Sequence, residues 1–340
     1  MMALNDALAL GLAQAVARHL GASVGDRPQV LELSRLTAGA ANETWQFDVV
    51  GTSISGERVT LGCILRRSPG IGDEGKSDTN LGKAGEAEVQ RAAREAGVAA
   101  AEVLFILDAE DDLGDGYVMA RLEGETLPRR ILRDAEYAEL RTHLARDCGH
   151  TLAQLHSVDT ARLPALMAMG AAEQIERYGE IYREFGQPAP VFDLALRWLA
   201  DHRQEPAKLA LVHGDFRNGN LMVGAEGIRA VMDWELAHLG DPMEDLGWLC
   251  VTSWRFGEMD HPVGGFGHRE DLFAGYEAAG GDAVNPESVR YWEVFGTLKW
   301  GIMCMIMTHS HLSGATRSVE KAAIGRRVSE TELDLLNLLT

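Results

Sequence analysis

Leu209–Asp233, LALVHGDFRNGNLMVGAEGIRAVMD, contains three short apolar runs, Leu209–Val212, Leu221–Val223 and Ile228–Met232, separated by polar residues. Runs this short and rich in Val, Leu and Ile suit buried strands better than helices. Three side chains with oxygen ligands stand at their ends: Asp215, Asn220 and Asp233. Any one of them alone is an ordinary turn residue. Together with His213, and with Asp215 and Asn220 five positions apart, they form a specific constellation.

The chemistry that needs this combination is phosphoryl transfer. A hard cation on a polyphosphate takes carboxylate and amide oxygens. One further carboxylate, free of the metal, must orient and deprotonate the attacking hydroxyl. The Asp-to-Asn spacing is that of a kinase catalytic loop, and Asp233, at the end of the next strand, stands where a second magnesium ligand belongs. The expectation is Asp215 as catalytic base, Asn220 and Asp233 on the metal, and ATP with Mg2+ as cofactors.

HGDFRNGN at 213–220, followed by DWELAHLGDPMEDLGWL at 233–249, resembles the aminoglycoside phosphotransferase and choline kinase family. Within it the chain is most similar to the kinase-like domains fused to some acyl-CoA dehydrogenases, from about Leu36 to the C-terminal RRVSETELDLL. The resemblance implies an α+β, two-lobed, protein-kinase-like fold. A small N-terminal lobe of antiparallel sheet would occupy 1–122 and bind nucleotide. A larger, mainly helical lobe would occupy 123–340, carrying catalysis and the acceptor. Asp233-Trp234-Glu235 replaces the DFG motif of protein kinases, and a small molecule with a hydroxyl is the implied partner.

Upstream, Val30–Leu36 and Thr44–Val50 read as strands joined by TAGAANE, 37–43. A turn of small residues permits close backbone approach to an anion. In the family this turn lies over the ATP phosphates, which assigns Ala40, Ala41 and Asn42 to the nucleotide; Ala38 and Ala41 stand where relatives carry Gly or Ser. Val59–Leu65 is a third strand, leading to Arg66, the candidate for the phosphate-side cation. Its partner should be on the helix 84–96, where Glu86, Val89 and Ala93 share one face, so Glu86 is chosen over Glu88. Val103–Leu107 and Tyr117–Leu122 complete the sheet. By resemblance the backbones of Ala120 and Leu122 meet adenine, with Met119 behind the ring.

Three motif matches point elsewhere. GIGDEGKS, Gly70–Ser77, fits the P-loop pattern, but Ser68-Pro69 separate it from the preceding strand. Asp73 and Glu74 would also repel a polyphosphate. It is read as a surface loop, with a P-loop NTPase kept as the rival. GASVG at 21–25 fits a hydrolase elbow but follows a helix, so Ser23 is set aside. Asp108–Gly116 lacks the Gly and Glu of a calcium loop at positions six and twelve. A catalytically inactive nucleotide-binding module is the remaining alternative.

The rest of the chain reads as helices: 5–20, one long segment over 137–156, 171–185, 192–201 and 291–312. His156 and His213 are taken as braces of the catalytic loop and Asp241 or Asp245 as a further brace; the family resemblance, which places the acceptor between that loop and the C-terminal helices, implies Arg255 and Lys299 as acceptor contacts. The 340 residues are enough for two lobes. A net charge of −19, from 32 basic and 51 acidic residues, argues against a nucleic-acid surface. Four scattered cysteines imply reduced thiols. No basic-then-apolar leader and no run of membrane-spanning length is read. The expectation is a cytoplasmic monomer or homodimer with no membrane partner.

Overall fold

The computed structural model describes residues 2–36, 43–68, 81–203 and 208–340. The chain forms two compact units: Met1–Gly124 with Ala161–Leu166 and Arg229–Ala237, and Glu125–Thr160 with Met167–Ile228 and His238–Thr340. The turn residues Ala40, Ala41 and Asn42, and the segment Gly70–Ser77, lie outside the described residues.

The first unit opens with α1 (Met2–Val24), followed by β1 (Gln29–Arg35), β2 (Glu43–Thr52) and β3 (Arg58–Ser68). Then come α2 (Gly82–Glu95), β4 (Val103–Ile106) and β5 (Asp115–Ala120). The five strands form one sheet in the order β1-β2-β3-β5-β4, every neighbouring pair antiparallel. Alternation sends Trp45, Phe47 and Val49 of β2 and Cys63 and Leu65 of β3 into a core with Leu8, Leu12 and Val16 of α1. On the other face Tyr117 and Val103 pack with Ala87 of α2, and Met119 lies against them.

That period of two also decides between the adjacent arginines. Ile64 and Arg66 share a face, Arg66 pairing across the ladder with Tyr117, whose side chain packs with α2. Arg67 points the other way and donates to Glu43 Oε2 at 2.9 Å. The start of α2 is capped by the sheet itself. Asp115 of β5 accepts from the backbone N–H of Lys83 at 2.8 Å and of Ala84 at 3.3 Å, satisfying donors that a helix leaves open at its first turn.

One expectation is corrected here. Asn5–Val24 of α1 is long enough, at 20 residues with mean hydropathy 1.2, to pass for a membrane-crossing helix. Its Leu8, Leu12, Ala15 and Val16 are spent on the sheet core.

The second unit begins with α3 (Pro128–Arg133), α4 (Ala138–Arg141), α5 (Leu144–His156), α6 (Ala171–Glu184) and α7 (Pro190–Asp201). The segment expected as one helix over 137–156 is thus broken at Thr142-His143. Strands β6 (Ala210–Val212), β7 (Leu221–Gly224) and β9 (His238–Gly240) follow, and β8 (Gly227–Val231) runs from this unit into the 229–237 segment of the first. Then come α8 (Met243–Cys250), α9 (Arg269–Ala278), α10 (Pro286–Leu312), α11 (Val319–Ile324) and α12 (Val328–Leu339). Strands β6 and β9 pair antiparallel, Val212 opposite His238.

The 27-residue α10 is the axis of this unit: Tyr291, Trp292, Phe295, Leu298 and Ile302 form the core with Tyr178, Tyr182, Phe192, Leu199 and Leu335. Helix α8 comes unusually close to it. A Cβ at Gly247 would lie 2.6 Å from Trp292 Cβ, so only glycine allows the approach. Asp241 fixes the same junction, accepting from Met243 N–H and from the Trp292 indole, both at 2.9 Å. This close packing sets where Asp245 and Trp248 of α8 project.

Candidate functional site

In the second unit the loop 213–220 connects β6 to β7 and is held from below by one buried carboxylate. Asp245 is fully buried and accepts the backbone N–H of His213 at 2.8 Å and of Gly214 at 3.0 Å. His156 Nε2 lies 3.1 Å from it and is anchored in turn by the Tyr276 hydroxyl at 3.0 Å. Burial pushes the Asp245 carboxyl up, but the His156 and His213 contacts outweigh it and hold it below the usual carboxylate range. His213 accepts the Asp215 N–H through Nδ1 at 3.2 Å. Asp245, rather than Asp241, therefore braces the loop.

The Asp215 carboxylate sits among three donors. Oδ1 accepts Trp248 Nε1 at 2.9 Å and Arg217 Nε at 3.0 Å, and Oδ2 accepts Asn220 Nδ2 at 2.6 Å. Asn220 Nδ2 also donates to the Asp215 carbonyl at 3.0 Å. With its nitrogen turned onto Asp215, the Asn220 amide presents its oxygen away from that residue, which is the atom a hard cation takes. Gly219, at φ +112°, makes the turn possible, and a Cβ there would meet Arg217 Nη1 at 2.7 Å.

Arg255 and Lys299, expected at the acceptor, are used otherwise. Arg255 donates to Glu293 at 3.0 Å and to the Cys250 carbonyl at 2.8 Å, with Arg269 on the second Glu293 oxygen at 2.6 Å. Lys299 is buried, 3.5 Å from the Gly214 carbonyl and 5.0 Å from the Trp248 ring centre, so it supports the loop from underneath.

In the first unit a second cluster surrounds Arg66. Its guanidinium donates to Asp233 Oδ1 at 2.6 Å and lies 3.5 Å from Glu86 Oε2. Burial works against the Arg66 charge, but Tyr117, Asp233 and Glu86 overcome it and raise its pKa. Glu86 takes its closer contact from Lys83, three residues earlier on the same helix. Lys83 Nζ is also 3.8 Å from Glu235. Burial, then the neighbouring Asp233 charge, pushes the Glu235 carboxyl up to about 7. Asp233 has φ +68°, a left-handed conformation that costs a non-glycine residue about 1 kcal/mol or more and collects at functional positions.

At the end of β5, the Ala120 N–H is spent on the Glu102 carbonyl and the Arg121 N–H on Gly62, both at 2.8 Å. What Ala120 can offer a base is therefore its carbonyl. Leu122 follows it and is exposed, and Met119 is half-buried, 3.6 Å from Gln90 Nε2. Three residues of these clusters escaped the sequence reading. Lys83 announces itself only by its spacing from Glu86, Arg217 lies inside the quoted motif, and Trp248 carries no local signal.

The profile of the phosphotransferase enzyme family matches residues 32–281. The chain belongs to that family. Its α+β fold is the kinase-like one. Acyl-CoA dehydrogenase family member 10 of Mus musculus is 26% identical over 238 residues, which are 65% of this chain. The chain spans only 20% of that protein's length. Among solved structures, a Ralstonia eutropha protein assigned as an aminoglycoside phosphotransferase superposes with TM-score 0.69 at 22% identity, covering 97% of each chain. Spectinomycin phosphotransferase, seen with ADP and spectinomycin, gives TM-score 0.63 at 14% identity over 96% of this phosphotransferase and 98% of that chain.

Proposed function

We propose that this phosphotransferase moves the γ-phosphoryl group of ATP to a hydroxyl of a small molecule, with magnesium, as a cytoplasmic monomer or homodimer. The observation that carries the proposal is the Asp215–Asn220 pair. The amide nitrogen of Asn220 locks Asp215 Oδ2 at 2.6 Å and leaves the amide oxygen for a cation. The donor set is all oxygen, as magnesium requires.

In this reading Asp215 orients the acceptor hydroxyl and takes its proton. Asn220 and Asp233 would hold magnesium, which when bound neutralises charge on the phosphates. Arg66, kept in place by Glu86, supplies a fixed cation to the phosphates. Met119, Ala120 and Leu122 receive the base. The ADP and spectinomycin bound in the spectinomycin phosphotransferase structure support a nucleotide and a small-molecule acceptor here. The acceptor is an alcohol of a hydroxyacyl or other metabolite, or one resembling an aminoglycoside. Positioning and charge neutralisation supply most of the acceleration.

The test is MgATP consumption across a library of hydroxylated metabolites with wild type and Asp215→Ala. Transfer should fall by about three orders of magnitude in the variant while nucleotide binding persists. Equal rates would refute the assignment.

A further inference from the structure

Among the three donors on Asp215, two are locked and one is not. Trp248 and Asn220 are buried side chains, 3% and 5% exposed as residues. The Arg217 side chain is 24% exposed. Its guanidinium reaches Asp215 Oδ1 through Nε and stands 4.6 Å over the ring of Trp254. Among the described residues its one other hydrogen bond is long, 3.4 Å, from Nη1 to the Asn218 carbonyl. An ionised carboxylate has about four lone-pair positions. Trp248, Arg217 and Asn220 fill three of them, on the side chain that must also receive an incoming hydroxyl.

We propose that Arg217 selects the acceptor: it caps Asp215 until an alcohol bearing a carboxylate or phosphate draws its guanidinium away. The proposal rests on Asp215 being the base. The guanidinium fork matches planar and tetrahedral oxyanions with paired N–H donors, and its charge lets it exchange one carboxylate for another. Trp254 supplies a flat surface along which the guanidinium can shift without losing its stacking. The Trp254 indole N–H, buried and without an acceptor among the described residues, adds a donor beside that path. A buried cation, Lys299, lies further along, itself 3.9 Å from Glu244. Lys299 stands over Trp248, the next ring of the stack, whose centre is 5.2 Å from that of Trp254. A neutral or cationic alcohol would find Arg217 in place, with nothing to offer it in exchange.

Two measurements test this. The first is hydrolysis of MgATP without any acceptor, in wild type, Arg217→Gln and Arg217→Gln with Asp215→Asn. Uncapping Asp215 should raise hydrolysis to water about fivefold or more in the single variant, and the double variant should lose the gain. The second is kcat/KM for matched alcohols: glycerate against glycerol and gluconate against glucose for the carboxylate, glycerol 3-phosphate against glycerol for the phosphate. Wild type should favour at least one charged member about tenfold or more, and Arg217→Gln should erase that preference through KM. A wild-type preference for the neutral members overturns the proposal. So does an Arg217→Gln variant that slows all members alike, as a plain structural brace would, or that raises only the KM for ATP. Failure of wild type to turn over MgATP at all would instead strike the kinase reading itself, and this proposal with it.

Discussion

The indole nitrogen of Trp248 lies 2.9 Å from Oδ1 of Asp215 and donates to it across 33 positions of sequence. The bond joins the α8 helix to the catalytic loop, and the buried ring keeps the carboxylate from rotating. A hydrogen bond to a charged acceptor contributes about 1.5–3 kcal/mol. Trp248→Phe keeps an aromatic ring beside Trp254 and removes the donor together with part of the indole's packing. We therefore expect kcat to fall about tenfold to a hundredfold, with KM for ATP nearly unchanged. A shift confined to KM for ATP would contradict a role in aiming the base.

A second expectation concerns the buried charges beneath Arg66. Glu86 is 2% exposed and serves Lys83 and Arg66 together. Glu86→Ala strands two cations in a low-dielectric setting and should cost about 3–5 kcal/mol in urea unfolding. Adding Lys83→Met removes one stranded charge and should recover a measurable part of that loss. An additive double variant would show that Lys83 and Glu86 do not act as a pair.

Much of this organisation was legible in the sequence, for identifiable reasons. The five strands of the first unit announced themselves by their runs at 30–36, 44–50, 59–65, 103–107 and 117–122, and the 213–220 loop by its residue types and spacing. Period two alone separates Arg66 from Arg67 once β5 is placed beside β3. What stayed hidden depends on packing between elements distant in the chain. Trp248 reaches Asp215 only because Gly247 lets α8 press against α10, and no local pattern encodes that approach. Arg255 and Lys299 were misread for the same reason, since a cation on a helix shows nothing of the buried Glu293 or Gly214 carbonyl that awaits it. The break at Thr142-His143 escaped because the apolar periodicity runs on through it.

Asp245 gives a prediction for acid. Its carboxyl is held below the usual carboxylate range in the folded chain, so the stability it contributes is present above the unfolded pKa of about 3.9. That contribution is lost as pH falls through the lower, folded value. Asp245→Asn exchanges one acceptor oxygen for an N–H facing the donors of His213, Gly214 and His156. We expect a loss of about 2–4 kcal/mol at pH 7. The acid limb below about pH 4 should also be shallower than in wild type. Parallel acid limbs in the two proteins would argue that Asp245 is not ionised in the fold.

Glu235 should act with the opposite sign and in a different window. Burial and the Asp233 charge raise its carboxyl to about 7 in the folded chain, against an ordinary glutamate value of about 4.5. Between those two values the folded state binds more protons than the unfolded state, so stability falls as pH rises from about 4.5 to about 7. The contribution is complete below the lower value and gone above the higher one. Because the side chain is 34% exposed, solvent screening reduces the effect to about 1 kcal/mol. Urea titrations of the nucleotide-free protein at pH 5 and pH 7.5 measure it directly. Glu235→Gln, which cannot ionise, should flatten the decline while leaving stability at pH 5 nearly unchanged. If the decline persists undiminished in that variant, the titrating group in this window lies elsewhere, and the Arg66, Lys83, Glu86, Asp233 and Glu235 cluster must be less tightly coupled than its distances imply.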